Sequence, residues 1–143
     1  MVDYLPRVDP ATGERYVAVG KRGKELLHDC LLNKGTAFTE QERELFGLRG
    51  LIPARVSRMS EQLPRAYDAF CHYESPLDRA IYLAQLQDRN ETLFYRLLQD
   101  HLEEMTPVIY TPTVAEICRN WGRIMRRARG LYLTPADRGR MDA

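Results

Sequence analysis

Apolar positions along residues 38–128 recur at spacings of three and four, which is the spacing of one face of an α-helix. Thr39-Glu40-Gln41-Glu42 is typical of a capping box and predicts a short helix that ends near Gly47. Ser60 is predicted to cap a second helix, with Pro64 in its first turn, where a missing N–H is tolerated. The buried face of that helix would hold Leu63, Ala66, Tyr67 and Phe70.

Two later helices have stronger start signals. Ser75-Pro76-Leu77-Asp78 supplies a cap, a proline at the first helical position and an acid in the first turn. Asn90 is predicted to open the next helix. Residues 107–110 break the period and predict an extended link, and Thr113 with Glu116 predicts a capping box for a further helix. The chain is therefore predicted to be mainly α.

The two ends of the chain differ from this helical middle. Residues 1–37 are rich in glycine and proline, which predicts an extended N-terminal arm with a β-hairpin around Thr12-Gly13 and leaves a partly disordered tail as the alternative. Residues 130–133 have the composition of a short buried strand, and a lone strand leaves its backbone groups unpaired. We therefore expect an arm at 1–37, a helical domain at 38–128 and the start of a truncated α/β domain at 129–143.

The composition narrows the class of protein. The chain has 143 residues, 44% of them hydrophobic, which is enough for one core. Its 21 basic and 20 acidic residues nearly cancel, which disfavours nucleic acid and anionic membranes as partners. The three cysteines form no C-x-x-C pair, and no apolar run approaches the ~18 residues of a membrane helix. We expect a cytoplasmic protein.

The densest polar group is Tyr110-Thr111-Pro112-Thr113, which places a phenol and two hydroxyls at a predicted helix start. Unpaired N–H groups at such a start attract a carboxylate or phosphate, and a phenol beside them would be tuned towards proton transfer. The residues alone leave an alternative open. In it, Thr113 only caps the helix and Tyr110 packs at the edge of the core.

Other charged and metal-binding residue types give weaker signals. Arg123, Arg126, Arg127 and Arg129 lack interleaved aromatic residues, so we interpret them as neutralising a helix C-terminus or binding acidic groups of a partner. Arg65 and Arg89 are interpreted, from the residues alone, as surface charges or members of local ion pairs. The histidines share no ligand spacing and no glycine-rich phosphate loop follows a strand, so we expect neither a metal nor a dinucleotide site in this chain.

Several segments, taken together and in order, resemble the malic enzyme family. They cover the chain from about residue 30 to 141, and their order makes chance an unsatisfactory explanation. The segments are Leu32–Thr39, Glu42-Arg43, Leu48–Pro53, Asn90–Arg96, Met105–Val114 and Arg129–Leu133. The chain is thus similar to the amino-terminal domain of that family.

The resemblance implies an enzyme that oxidises L-malate with NAD or NADP and decarboxylates it to pyruvate and CO₂, using Mg²⁺ or Mn²⁺. Tyr110 matches the family's general acid, and Thr111, Pro112 and Thr113 would support the substrate pocket. The family's lysine base, metal-binding acids and dinucleotide domain have no counterpart here. We therefore expect this chain alone to be inactive and to bind no cofactor tightly, within a parent that forms a homodimer or homotetramer.

Regulation and rival functions also follow from the resemblance. In some animal members, arginines that match Arg65 and Arg89 bind the activating dicarboxylate fumarate at the dimer interface. Ser57 stands where those members have an acid, and Pro64 is a second departure, which disfavours fumarate control here.

Two other functions compete with a malic enzyme. They are a malolactic enzyme, which makes lactate, and a non-catalytic helical module for oligomerisation or regulation. The intact run Tyr110–Val114 favours malic enzyme.

Overall fold

The computed structural model describes residues 5–124, 127, 129–130 and 133–139. Near its start, strands β1 (Arg7–Val8) and β2 (Arg15–Tyr16) pair antiparallel. The connection between them contains Gly13, whose φ of 72° lies in the left-handed region that glycine adopts at no steric cost. The hairpin predicted around Thr12-Gly13 is confirmed.

The described chain is mainly helical, as predicted. Its helices, in order, are α1 (Gly23–Leu27), α2 (Glu40–Leu45), α3 (Met59–Cys71), α4 (Pro76–Arg89), α5 (Glu91–Asp100), α6 (Leu102–Ile109), α7 (Thr113–Arg119) and α8 (Trp121–Ile124). Helix α1 lies inside the stretch predicted as an extended arm, and its five residues are too few to produce a helical period in the sequence. The strand predicted at 130–133 falls largely outside the described residues.

The main core lies between the four central helices. Helix α4 packs against α3, α5, α6 and α7, and α3 also packs against α5. The side chains that are almost completely buried there are Phe70, Leu83, Leu86, Leu97 and Met105. A smaller cluster of Leu26, Phe38 and Leu48 anchors α1 to the segments on either side of α2, so part of the predicted arm belongs to a core of its own.

The predicted helix starts at Thr39, Ser75 and Asn90 are confirmed. The Thr39 hydroxyl accepts a hydrogen bond from the Glu42 N–H, and the Ser75 hydroxyl accepts one from the Asp78 N–H. The Asn90 side chain accepts a hydrogen bond of 3.0 Å from the Leu93 N–H and is itself buried. Each start depends on residues within three positions, which is why the sequence alone located it.

The start of α3 was predicted wrongly. Arg58 occupies the cap position, and its N–H donates to the Glu61 carboxylate at 2.8 Å. Ser60 is therefore inside the helix, and Pro64 lies in the second turn rather than the first. Having no N–H, Pro64 cannot bond to the Ser60 carbonyl. The helix continues because Ala66 and Phe70 beyond the proline are buried.

These caps give a direct test. We expect Asn90→Ala to lower the free energy of unfolding by about 1 kcal/mol, because the Leu93 N–H loses its acceptor. Ser60→Ala is the matched control, since Ser60 is helical and exposed, and it should leave stability almost unchanged. Urea denaturation of both variants measures this. An equal loss of unfolding free energy in both variants would indicate that Ser60 acts as a helix cap.

Tyr67 on α3 is tied to the start of α6. Its hydroxyl donates to the Glu104 carboxylate at 2.8 Å, and its ring stacks on His101 with centroids 3.8 Å apart. The hydrogen bond to Glu104, followed by one to Cys71, raises the pKa of Tyr67 from 10.0 to about 12. The unfolded phenol loses its proton near pH 10, whereas the folded one keeps it up to about pH 12. The raised pKa therefore favours the folded state below pH 10, and this contribution to stability is lost as the pH rises through about 12.

We expect Glu104→Gln to return the pKa of Tyr67 towards its ordinary value, because the charged acceptor is removed. An alkaline titration followed by NMR of the Tyr67 ring carbons measures the pKa. Glu103→Gln, a neighbouring exposed acid in the same turn of α6, is the control and should leave it raised. An unchanged Tyr67 pKa in Glu104→Gln would contradict this assignment.

A buried arginine organises the loop before α3. Arg43 is only 3% exposed, and its guanidinium is surrounded by backbone oxygens. It donates to the carbonyls of Phe38 at 2.8 Å, Pro53 at 2.7 Å, Ala54 at 2.9 Å, Thr36 at 3.1 Å and Arg55 at 3.3 Å. One side chain thus satisfies five carbonyls from both sides of α2, and no pattern in the sequence indicated this role.

Candidate active site

Tyr110 lies in the tight turn between α6 and α7. Its N–H donates to the Thr106 carbonyl at 2.9 Å, and its own carbonyl accepts from the Val114 N–H at 2.7 Å. The peptide bond between Thr111 and Pro112 is cis. Tyr110 is 66% exposed in this turn.

The extended link predicted at 107–110 is wrong, because α6 runs through Pro107 to Ile109. Burial of Met105 and Val108 on the face towards the core compensates for the backbone hydrogen bond that a proline cannot make. The helix consequently ends directly at Tyr110. Its last turn fixes the backbone from which the phenol projects.

The capping box predicted at Thr113 and Glu116 is also wrong. Thr113 is the first residue of α7, with Pro112 at the cap position, and no side chain caps this helix. The Thr113 side chain is buried, and its hydroxyl donates to the Pro107 carbonyl at 2.8 Å. Thr113 therefore ties α7 to α6, and its support of a substrate pocket stays a prediction.

Two of the backbone N–H groups expected to bind an anion at the start of α7 are already engaged in hydrogen bonds. The Val114 N–H is bonded to the Tyr110 carbonyl, and the Ala115 N–H to the Pro112 carbonyl at 3.2 Å. Tyr110, Thr111 and Pro112 remain exposed together on the surface of the turn. The interpretation of Tyr110 as a residue at the edge of the core is wrong as well, because most of its side chain faces solvent.

Arg65 and Arg89 are exposed on the adjacent helices α3 and α4. The Arg89 backbone carbonyl accepts a hydrogen bond from the Asn33 side chain at 3.0 Å, which fixes the end of α4. Ser57 is buried, and its N–H donates to the Thr36 carbonyl at 2.9 Å. A dicarboxylate site at Arg65 and Arg89 stays a prediction.

Within the described part of the chain, no three His, Cys, Asp or Glu side chains stand together in a way that could hold a metal ion. The helices described there are also too short or too polar to cross a membrane.

A second polar group joins three distant segments, and we call it the Arg129 cluster: Cys30, Asp88, Glu91, Arg127 and Arg129. The Arg129 guanidinium donates to the carboxylates of Asp88, at 3.1 Å, and Glu91. The Arg127 guanidinium lies 3.2 Å from the buried Cys30 sulfur, whose thiol donates to Glu91 at 3.5 Å. The basic run was interpreted as binding acidic groups, and the acids prove to belong to this same chain.

Electrostatics reinforce the cluster. Partial burial lowers the pKa of Arg129, but its hydrogen bonds to Glu91 and Asp88 outweigh that effect and hold the pKa above its ordinary value. Arg129 also donates to the Gln87 carbonyl at 3.2 Å. Arg129 is therefore held at the junction of α4 and α5.

Comparison with known proteins defines the class. The model of the family described as "Malic enzyme, N-terminal domain" matches residues 87–143. The matched stretch contains α5, α6, α7 and the exposed turn at Tyr110. The chain belongs to the malic enzyme family, as its sequence segments indicated.

The most informative relatives are bacterial NAD-dependent malic enzymes. That of Edwardsiella ictaluri is 52% identical over 120 residues, which are 84% of this chain and 21% of the relative. That of Idiomarina loihiensis is 47% identical over 129 residues, 90% of this chain and 23% of the relative. That of Aeromonas salmonicida is 52% identical over 120 residues, 84% of this chain and 21% of the relative. The chain thus spans about a fifth of the length of the relatives it matches.

Proposed function

We propose that this chain acts as the amino-terminal part of an NAD-dependent malic enzyme, which converts L-malate to pyruvate and CO₂, and that Tyr110 is its general acid. The observation that carries the proposal is the family match across residues 87–143, because it includes the turn that presents Tyr110. The relatives' names support NAD as the dinucleotide. The phenol is 66% exposed and is therefore accessible to a substrate.

The proposed step is a proton transfer to carbon. Oxidation of malate at C2 gives oxaloacetate, and loss of CO₂ gives the enol form of pyruvate. The Tyr110 hydroxyl gives its proton to C3 of that enol, the C2 hydroxyl releases its own proton to solvent or a base as it becomes a carbonyl, and the phenolate regains a proton from solvent or a second acid. The turn helps by holding the phenol at a fixed point, because its backbone is bonded to both α6 and α7.

The described residues do not fit the metal, because they contain no group of side chains that could hold a metal ion. We assign NAD and Mg²⁺ or Mn²⁺ to the part of the relatives' sequence that this chain does not match. Assembly as a homodimer or homotetramer likewise stays a prediction.

A chimera tests the proposal. The 120-residue stretch of the Edwardsiella ictaluri enzyme that matches this chain would be replaced by the corresponding residues of this chain. With malate, NAD and Mn²⁺ we expect NADH and pyruvate in equal amounts. Lactate without net NADH would favour a malolactic enzyme, and a folded chimera that is inactive would favour a non-catalytic module.

The 143-residue chain alone, assayed in parallel, should show no turnover, because no group of side chains among the described residues could hold the metal ion. NADH production by the purified chain would overturn that expectation. Circular dichroism of the same sample checks that the chain is helical.

A further inference from the structure

The hydroxyl of Thr113 joins the two helices on either side of Tyr110. Thr113 is the first residue of α7, is buried, and donates through its hydroxyl to the Pro107 carbonyl at 2.8 Å. Pro107 lies in the last turn of α6, which ends at Ile109. We call this hydrogen bond the Thr113 clamp. It spans the turn on which the phenol is carried.

The Thr113 clamp supplies a donor that the end of α6 lacks. In a continuing α-helix, the Pro107 carbonyl would accept from the N–H four residues later, that of Thr111. The helix instead ends at Ile109, so this carbonyl is among those that a helix C-terminus leaves without an intrahelical donor. The Thr113 hydroxyl satisfies it. A valine at position 113 would keep the shape of the side chain and remove that donor.

Backbone contacts determine where the phenol of Tyr110 lies, because most of this residue is exposed and little packing restrains its ring. The Tyr110 N–H donates to Thr106 in α6, and the Tyr110 carbonyl accepts from Val114 in α7. A shift of α7 against α6 would therefore displace the phenol. The Thr113 clamp restrains that shift, because it joins the same two helices through a buried side chain.

We propose that Thr113 is a positioning residue for Tyr110: its bond to the Pro107 carbonyl keeps α7 in place against the last turn of α6 and so holds the phenol where it can transfer its proton. Thr113 touches no reacting atom in this role. It supports the substrate pocket through the backbone of the turn. The inference rests on the proposed function of Tyr110 as a general acid.

Amide hydrogen exchange tests the Thr113 clamp in the 143-residue chain and requires no activity. We expect Thr113→Val to speed exchange of the Tyr110 and Val114 amides about tenfold, because the loss of a buried hydrogen bond makes local opening of the turn more frequent. Thr113→Ser keeps a hydroxyl and should stay close to the unmodified rate. Thr106→Val is the matched control, since the hydroxyl it removes bonds within α6, to the Leu102 carbonyl at 2.6 Å. It should leave Val114 exchange unchanged.

Kinetics of the chimeric enzyme test the effect on proton transfer. Thr113→Val should lower kcat, and the exchange of pyruvate methyl hydrogens in D₂O, by about 10–10²-fold, because small misplacements of a reacting group have effects of this size. The KM for malate should change little, and Thr113→Ser should restore most of the rate. A merely structural role would reduce the amount of folded enzyme and leave kcat per folded molecule unchanged.

The possible failures can be told apart. Unchanged Val114 exchange in a folded Thr113→Val chain, or an equal response of Thr106→Val, would overturn the Thr113 clamp. Faster exchange with a normal kcat in Thr113→Val would overturn the positioning role, and an impaired Tyr110→Phe would then leave the proposed function intact. Normal turnover in Tyr110→Phe would overturn both. If Thr113→Val loses its helical circular dichroism, Thr113→Cys, whose thiol is a weak donor, replaces it and is judged by the same results.

Discussion

Tyr110→Phe, introduced into the chimeric malic enzyme, is expected to lower kcat by about 10²–10⁴-fold, the usual contribution of a positioned general acid. Phenylalanine keeps the ring on the same turn and removes only the hydroxyl group, and with it the proton to be transferred. The KM values for malate and NAD should change little, because the proposed role of Tyr110 begins after the substrate has bound. Steady-state assays of NADH production measure both parameters.

Tyr95→Phe is the matched control for this prediction. Tyr95 is also an exposed tyrosine within the family match, but it lies on α5, away from the turn. It should retain almost the full kcat. A Tyr110→Phe chimera with near-normal turnover would remove Tyr110 from the mechanism, and equal losses in both variants would point to general damage.

Arg43→Met is expected to lower the free energy of unfolding by about 3 kcal/mol, the largest loss of stability we anticipate. Methionine fills part of the space but leaves five carbonyls without their shared donor. Arg43→Lys should recover only part of the loss, since an ammonium has fewer donors and no planar fork. Urea denaturation of the 143-residue chain measures both variants.

An exposed arginine provides the comparison for Arg43. Arg96→Met removes an arginine that contacts only the surface of α5 through Asp100, so stability should change little. If Arg43→Met were as mild as Arg96→Met, the guanidinium would not be what holds together the segments on either side of α2.

Local signals were predictable from the sequence. Thr39, Ser75 and Asn90 start helices because each bonds to an N–H within three residues, and such geometry depends little on the rest of the fold. The hairpin at Gly13 is local in the same sense. These elements were correct because a short stretch of sequence contains both partners of each decisive contact.

Features decided by burial were not predictable in this way. Pro64 and Pro107 suggested a helix start and a break, but α3 and α6 continue past them because residues on their inner faces are buried. The contact of Arg129 with Asp88 and that of Arg43 with Pro53 join residues whose pairing no periodicity reveals. Knowledge of the fold was needed for both.

The candidate site combines the two situations. The family resemblance identified Tyr110 as a candidate. It did not predict the local structure around Tyr110, since the predicted extended link and the predicted capping box were both wrong. The phenol is nevertheless exposed, because α6 ends at Tyr110 and Thr113 turns inward to the Pro107 carbonyl. Its chemical role remains a proposal that depends on the substrate coming within hydrogen-bond reach.

Exchange of the methyl hydrogens of pyruvate in D₂O tests the role of Tyr110 most directly, because it isolates proton transfer at C3 from oxidation and decarboxylation. The chimera, with NADH and Mn²⁺ present, should introduce deuterium into the methyl group, as followed by proton NMR. The account predicts that Tyr110→Phe brings this exchange down to the rate without enzyme, and that Tyr95→Phe retains it. Exchange by Tyr110→Phe at the rate of the unmodified chimera would contradict the account.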